Sequence, residues 1–244
     1  MFAGLLLAAG RGRRFDGEKP KQFVELNGHP VIEHSVRLFE QTPEMAAYGI
    51  LTLPEWQSRL QTIISDLSAD KCKFVSPGGQ TRRESVAVGL QELHDCLARQ
   101  PRVVAVHDSA RPAVPGSHLL QLLESFEQTK SNVKGVIPGL PVRDTIKRVR
   151  LADDSAYVRE TLPREQLRRV QTPQLFDFNF LFHIHEKWAG PEPTDDAMMV
   201  EQNGGEVVVI PGLRENVKLT FPEDLELLKD NLLKLKQNGD LDAN

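Results

Sequence analysis

The alternation of short apolar runs with amphipathic stretches is the feature that most limits what this chain can fold into. Each run has the length of a strand, and each stretch after it has the periodicity of a helix with one buried face. The pairs in chain order are Ala3–Ala8 with Val31–Glu40, Tyr48–Leu53 with Glu55–Leu67, Cys72–Val75 with Arg83–Leu97, and Val103–Val106 with Ser117–Gln128. Strands that alternate with helices pair in parallel, because the helical connection returns the chain to the same edge of the sheet. The pattern therefore predicts an α/β fold with a doubly wound, mostly parallel, Rossmann-like sheet.

The pattern changes after Val133–Ile137. Two polar, strand-like stretches follow, Pro141–Arg150 and Ala156–Thr161, and the residues between them suit a hairpin turn. We therefore expect a β-arm at about residues 141–164 that projects from the sheet. The other predicted elements are helices at Phe178–Trp188, Asp195–Gln202 and Pro222–Lys236 and a strand at Val207–Ile210. A chain of 244 residues without repeats or a long linker fits one α/β domain, residues 1–244.

Charge and composition exclude several classes of protein. The formal net charge is −4, so the chain has no general attraction for nucleic acid, and any phosphate site must be built locally. The apolar run Phe2–Ala9 is too short to cross a membrane, and the arginines after it reverse the charge order of a signal peptide. Cys72 and Cys96 are too few for a zinc framework and suit reduced core thiols. We therefore expect a cytoplasmic protein that binds neither nucleic acid nor membranes.

The first predicted strand runs into small residues and then into a dense set of cations. Small residues let backbone N–H groups approach phosphate oxygens, and arginine and lysine neutralise charge on a phosphorus atom under attack. The residues concerned are Ala8, Ala9, Gly10, Gly12, Arg14 and Lys21. This combination favours a triphosphate site, and a tight turn with solvated arginines is the alternative.

Two familiar phosphate-binding motifs do not fit this segment. Gly10 and Gly12 lack the third glycine of the dinucleotide fingerprint, because Phe15 stands in its place. No glycine-lysine-serine or glycine-lysine-threonine follows, as a P-loop would need. Nicotinamide enzymes and P-loop NTPases are therefore disfavoured.

Asp108 comes directly after the predicted strand Val103–Val106. Open α/β sheets bind their ligands at the carboxyl ends of the strands, and Mg²⁺ binds through one or two carboxylates together with substrate phosphates. Asp108 is therefore the candidate Mg²⁺ ligand. The alternative is an aspartate that caps the following turn and bonds Arg111.

Two glycines stand just before a predicted helix. Gly78 and Gly79 precede Arg82 and Ser85, so backbone groups and the free N–H donors of the helix start could meet the edge of a base. The alternative is a loop with Ser85 in the first turn of the helix.

These segments resemble, in order along the chain, a family of nucleotidyltransferases that activate sugar phosphates. Within it they resemble the cytidylyltransferases that act on 2-C-methyl-D-erythritol 4-phosphate. The N-terminal loop is joined in this resemblance by Gly78-Gly79-x-x-Arg82-x-x-Ser85-Val86, His107–Pro112, Val142–Lys147, Thr172–Gln174, Thr194-Asp195 and Asn216–Thr220. The resemblance covers nearly the whole chain.

The resemblance implies transfer of CMP from CTP to methylerythritol phosphate, with release of pyrophosphate, in non-mevalonate isoprenoid synthesis. It also implies a homodimer in which the arm interlocks with a second subunit, and Mg²⁺ or another divalent cation as the cofactor. The implied catalytic residues are Arg14, Lys21, Arg164 and Lys218. The implied CTP-binding residues are Ala8, Ala9, Gly10, Gly12, Lys21, Gly79, Arg82 and Ser85. The implied acceptor-binding residues are Asp108, Arg111, Thr145, Arg164, Thr194 and Lys218, and Asp108 and Glu215 are the implied metal ligands.

The sequence leaves two alternative functions open. The chain could be a cytidylyltransferase for another polyol phosphate, such as ribitol 5-phosphate, or a nucleotide-binding regulator without turnover. Thr194 would serve equally well as a helix N-cap, with Asp195 and Asp196 in the first turn. No metal site is expected at His183 and His185, because residues at i and i+2 do not share a helix face.

Overall fold

The computed structural model describes residues 1–12, 15 and 19–239, and a mixed eight-stranded sheet runs through this part of the chain. The strands are β1 (Phe2–Ala8), β2 (Glu25–Leu26), β3 (His29–Pro30), β4 (Met45–Thr52), β5 (Cys72–Pro77), β6 (Val103–Asp108), β7 (Val133–Pro141), β8 (Ile146–Ala152), β9 (Ser155–Leu162), β10 (Arg168–Val170), β11 (Gln174–Asp177) and β12 (Glu206–Pro211). The helices are α1 (Val31–Gln41), α2 (Gln57–Asp66), α3 (Arg82–Cys96), α4 (Gly116–Glu127), α5 (Phe178–Lys187), α6 (Asp196–Gln202) and α7 (Asp224–Gln237). Short 3₁₀ turns lie at Lys21–Phe23, Pro54–Trp56 and Arg164–Gln166.

The strand order of the main sheet is β10-β7-β11-β6-β1-β4-β5, with β12 paired to β7. Parallel pairs join β1 to β4 and β6, β4 to β5, and β7 to β12. This confirms the predicted doubly wound, mostly parallel α/β fold. The sheet also holds two antiparallel strands that the sequence did not predict, β11 between β6 and β7 and β10 at one edge.

Helices bury the sheet on both faces. Along β1, Leu6 packs into the cluster that contains Ile32 and Phe39 of α1, whereas Leu5 packs on the other face with Val86 and Leu90 of α3. All six side chains are fully buried. Burial of each such side chain stabilises the fold by about 2 kcal/mol, so the packing on both faces fixes the central strands and their carboxyl ends in position.

The arm is a separate two-stranded sheet of β8 and β9. Asp153 and Asp154 turn the chain with φ angles of 50° and 58°, a conformation typical of two-residue hairpin turns. The predicted hairpin is therefore confirmed. Leu151 and Val158 on this hairpin are 79% and 62% exposed, so this chain alone leaves apolar side chains of the arm uncovered.

No helix in the described residues is long and apolar enough to span a membrane. The organisation of residues 1–244 as one domain stays a prediction.

Candidate active site

A cleft of about 850 Å³ opens at the carboxyl ends of β1, β5 and β6. Its walls come from the loop after β1, the turn from β5 into α3, the residues after β6, and Lys218 near the end of the chain. Nine of the predicted site residues line it together: Ala8, Ala9, Gly10, Lys21, Gly79, Arg82, Ser85, Asp108 and Lys218. Sheet topology thus brings distant segments of the sequence to one edge.

The loop after β1 is held by Gln22. The side-chain amide of Gln22 donates to the carbonyl of Ala8 and, at 3.1 Å, to that of Gly10. Gly12 has a φ angle of +60°, which favours glycine. Lys21 reaches the cleft wall, where its Nζ donates to the Leu219 carbonyl at 2.6 Å. The predicted Arg14 lies outside the described residues.

Gly78 is required by close packing between two walls of the cleft. A Cβ at Gly78 would lie 2.4 Å from the Cβ of Ala9, and one at Gly79 would lie 2.2 Å from the Cβ of Glu84. Real Cβ contacts of this kind are longer, so a side chain at either position would displace its neighbour. Gly78 therefore lets the β5–α3 turn approach the loop after β1, and Gly79 lets the turn pack against the first turn of α3.

The start of α3 is fixed by a capping box that the sequence analysis did not identify. Thr81 Oγ1 accepts from the Glu84 N–H at 3.2 Å, and Glu84 Oε2 accepts from the Thr81 N–H at 3.3 Å. Ser85 Oγ accepts from the Gly79 N–H at 3.1 Å and donates to the Thr81 carbonyl at 2.9 Å. Ser85 therefore lies in the first turn of α3 and braces the turn, as the alternative predicted, and it also lines the cleft, where its role in CTP binding stays a prediction.

Asp108 is the charged centre of the cleft. Lys218 Nζ lies 2.5 Å from Asp108 Oδ2, and Arg82 Nε lies 3.7 Å from Oδ1. Burial favours the neutral acid, but the charges of Lys218 and Arg82 outweigh it and hold the pKa of Asp108 well below its usual range. The carboxylate is therefore ionised at neutral pH.

The backbone of Asp108 is also fixed. Its N–H donates to Thr172 Oγ1 at 3.0 Å, and the same hydroxyl contacts His107 Nδ1 at 3.0 Å. Burial lowers the pKa of His107 to about 4, so this imidazole is neutral at physiological pH. The predicted bond between Asp108 and Arg111 is present in the backbone, where the Arg111 N–H donates to the Asp108 carbonyl at 2.9 Å, whereas the Arg111 guanidinium donates to the Asn216 carbonyl at 2.9 Å.

Arg82 has a second carboxylate partner that the sequence analysis missed. Arg82 Nη1 lies 2.5 Å from Asp196 Oδ2, and Asp196 Oδ1 lies 3.0 Å from His185 Nε2. Burial opposes the ionisation of Asp196, but Arg82 and His185 lower its pKa to about 2. Asp196 directly follows the Thr194-Asp195 pair of the family pattern, and this position could have marked it as a site residue. Nothing in the sequence indicates that His185 contacts Asp196.

Six predicted site residues in the described part of the chain do not line this cleft: Gly12, Arg111, Thr145, Arg164, Thr194 and Glu215. Thr145 and Arg164 are exposed on or beside the arm, and Arg164 Nη1 donates to the Arg143 carbonyl at 2.7 Å. Glu215 lines a different hollow, so the structure does not bring it to Asp108. No group of three or more histidine, cysteine, aspartate or glutamate side chains suited to a metal ion occurs among the described residues.

Thr194 is not the N-cap of α6, so that alternative is wrong. The helix begins at Asp196, and the preceding Asp195 has the extended backbone of a cap residue. Its Oδ1 accepts from the Met198 N–H at 3.0 Å. Thr194 lies one residue too early and is exposed.

The family model for IspD, 2-C-methyl-D-erythritol 4-phosphate cytidylyltransferase, matches residues 2–233. The chain belongs to the IspD family. A 2-C-methyl-D-erythritol 4-phosphate cytidylyltransferase of Geobacillus kaustophilus is 36% identical over 92% of this chain and 93% of its own length. One of Streptomyces avermitilis is 36% identical over 97% of this chain and 93% of its own length.

Solved structures agree with this assignment. The crystal structure of 4-diphosphocytidyl-2C-methyl-D-erythritol synthase from Anaerococcus prevotii superposes with a TM-score of 0.79 at 25% identity. The superposition covers 95% of this chain and 98% of that one. As an IspD-family member, the chain is a nucleotidyltransferase, and its reaction is the cytidylylation of 2-C-methyl-D-erythritol 4-phosphate in isoprenoid synthesis.

Proposed function

We propose that the cleft around Asp108 carries out this transfer, with the CTP triphosphate along the loop after β1 and the base at the β5–α3 turn. The observation that carries the proposal is the convergence of Lys21, Arg82 and Lys218 with the carboxylate of Asp108 at the carboxyl ends of the strands. A phosphate oxygen of the acceptor attacks the α-phosphorus of CTP in line. The bond from the α-phosphorus to the bridging oxygen breaks, and pyrophosphate leaves.

The cations supply most of the chemistry, because negative charge spreads over the phosphoryl oxygens in the transition state. Lys21 is already held at the cleft wall by the Leu219 carbonyl, so little ordering remains when CTP binds. Arg14 is the second proposed stabiliser. Backbone N–H groups of Gly10 and Gly12 are proposed to approach the phosphates, since neither glycine places a side chain there.

The base is proposed to lie against Gly79 and Ser85. A backbone edge can present a fixed pattern of donors and acceptors to cytosine, and a uracil would leave some of these groups unpaired. The bond from the Gly79 N–H to Ser85 Oγ keeps this edge in place. The turn therefore supports a preference for CTP over UTP.

Mg²⁺ is the proposed cofactor, and Asp108 would hold it. Lys218 occupies Oδ2, whereas Oδ1 is 3.7 Å from Arg82 Nε, which is longer than a hydrogen bond, so this oxygen can accept a cation. When bound, Mg²⁺ would neutralise charge on the triphosphate. Glu215 lies in another hollow, so the proposal uses one carboxylate and the phosphate oxygens as ligands.

The acceptor is proposed to bind between two subunits of a homodimer. Lys218, Arg111 and Thr194 would come from one chain, and Thr145 and Arg164 from the arm of the other. The exposed Leu151 and Val158 support this proposal, because a second chain would cover them. We retain the cytoplasmic location predicted from the sequence, with Cys72 and Cys96 as free thiols.

The test is pyrophosphate release from CTP and Mg²⁺ in three parallel reactions, with methylerythritol phosphate, with ribitol 5-phosphate and without acceptor. The proposal predicts release with methylerythritol phosphate alone, and loss of that release when EDTA removes the metal. Release with ribitol 5-phosphate would favour the alternative of a cytidylyltransferase for that polyol phosphate. CTP binding without release in any reaction would point to the regulator.

A further inference from the structure

Arg82 spans from the cleft to the interior of the molecule. Its Nε faces Asp108 at 3.7 Å and its Nη1 contacts Asp196 at 2.5 Å, while the side chain is 27% exposed. Two carboxylates on different elements therefore compete for one guanidinium. The position of Arg82 in the cleft depends on how firmly Asp196 holds it.

Asp196 is 1% exposed, so water does not solvate its carboxylate. A buried carboxylate is stable only when its oxygens have partners. Arg82 takes Oδ2, and His185 Nε2 lies 3.0 Å from Oδ1. Since Asp196 is ionised, the His185 ring donates its Nε2–H to this oxygen.

His185 itself is 2% exposed on α5, a helix that lines no part of the cleft. The ring therefore cannot touch a substrate. We propose that His185 is a positioning residue, which holds Asp196 so that Asp196 in turn keeps Arg82 extended along the cleft wall for CTP. The inference rests on the proposed role of Arg82 in CTP binding.

Loss of the imidazole has a defined consequence. Asp196 Oδ1 would be left without a partner in a buried place, and the carboxylate would reorient or take up a proton. Its hold on Arg82 would weaken, and Arg82 would turn towards Asp108, its other carboxylate. CTP would then meet an arginine already paired with Oδ1 of the proposed metal ligand, whereas Lys218 would keep its bond to the other oxygen, Oδ2, and with it the acceptor site.

The test compares His185→Leu, His185→Gln and the matched control His183→Leu. His183 lies on the same helix, is 66% exposed and contacts Glu186. His185→Leu is expected to raise the KM and the Kd for CTP about tenfold, equal to about 1.4 kcal/mol, with the KM for the acceptor unchanged. His185→Gln should recover most of the CTP affinity because its amide can donate to Asp196, and His183→Leu should match the wild type.

A double-variant measurement excludes a purely structural effect. If His185 acts through Arg82, then His185→Leu should not raise the CTP Kd further in an Arg82→Ala background. An unchanged CTP Kd in folded His185→Leu, shown by an unaltered circular dichroism spectrum, would overturn the inference. An effect of the same size in the Arg82→Ala background would also overturn it.

The proposed function is tested separately in the same assays. Product formation by the wild type establishes the transfer whether or not His185 matters. If the wild type made no product, calorimetric titration of CTP into wild type and His185→Leu would still decide the inference.

Discussion

Asp108 carries a charge that two cations from distant parts of the chain maintain. Lys218 is 110 residues away, and Arg82 comes from the start of α3. The sequence predicted Asp108 because it lies just beyond the predicted strand Val103–Val106, and the carboxyl ends of parallel strands meet at one edge of the sheet. It could not predict that Arg82 also pairs with Asp196, because that contact depends on how α3 packs against α5 and α6.

Lys21→Ala should lower kcat by a factor on the order of 10³, with little change in the KM for CTP. The charge of Lys21 matters most when negative charge spreads over the phosphoryl oxygens. Steady-state kinetics with CTP varied at saturating acceptor measures both constants, and the exposed Lys19→Ala is the matched control. A rise in the KM for CTP at unchanged kcat would show that Lys21 only binds the ground state.

His34 should make the protein less stable in mild acid. Burial lowers its pKa to about 4, with partial compensation from the Leu26 carbonyl. An unfolded histidine titrates near pH 6.5, so between these values the unfolded chain binds a proton that the folded chain does not. The stabilisation is complete above about pH 6.5 and is lost as the pH falls towards 4, by about 3 kcal/mol at most.

Urea unfolding of wild type and His34→Gln at about pH 7.5 and about pH 5 measures this effect. The free energy of unfolding should fall less with acid in His34→Gln than in wild type. The exposed His183→Gln should retain the wild-type dependence. Equal pH dependence in all three proteins would show that His34 is not the group responsible.

At the scale of elements, the length of the apolar runs decided what the sequence could predict. The strands β1, β4, β5 and β6 have six to eight residues and contain the apolar runs of four to six residues from which they were predicted. The strands β10 and β11 contain only one and two apolar residues, which is too few to stand out as a run. Their antiparallel pairing, β11 between β6 and β7 and β10 against β7, is determined by tertiary contacts rather than by a local sequence pattern.

Gly78→Ala should weaken CTP binding. The added Cβ would lie 2.4 Å from Ala9 Cβ and 2.8 Å from Ser85 Oγ, so the β5–α3 turn must move away from the loop after β1. We expect the KM for CTP to rise at least about tenfold. The matched control is Gly116→Ala at the start of α4, where the new Cβ meets nothing within 4 Å. An unchanged KM in Gly78→Ala would show that this close contact does not shape the CTP site.

At the scale of the whole molecule, one described chain provides a cleft for the nucleotide but leaves part of the predicted acceptor site apart from it. Thr145 and Arg164 are exposed beside the arm, and neither lines the cleft that contains Asp108 and Lys218. A sequence resemblance predicts all four residues as parts of one site, because it does not distinguish between residues of one subunit and residues of another. This separation is consistent with the proposal that a second chain completes the acceptor site.

The most direct test mixes two variants that fail for different reasons. Lys21→Ala removes a cation from its own cleft, and Arg164→Ala removes the guanidinium that the arm is proposed to supply to the other cleft. Each variant alone should have little activity. After co-refolding of equal amounts, about half the dimers should be mixed, each with one intact site, so the activity should return to about a quarter of that of the wild type. Activity no higher than the mean of the two separate variants would contradict a cleft completed by the arm of a second subunit.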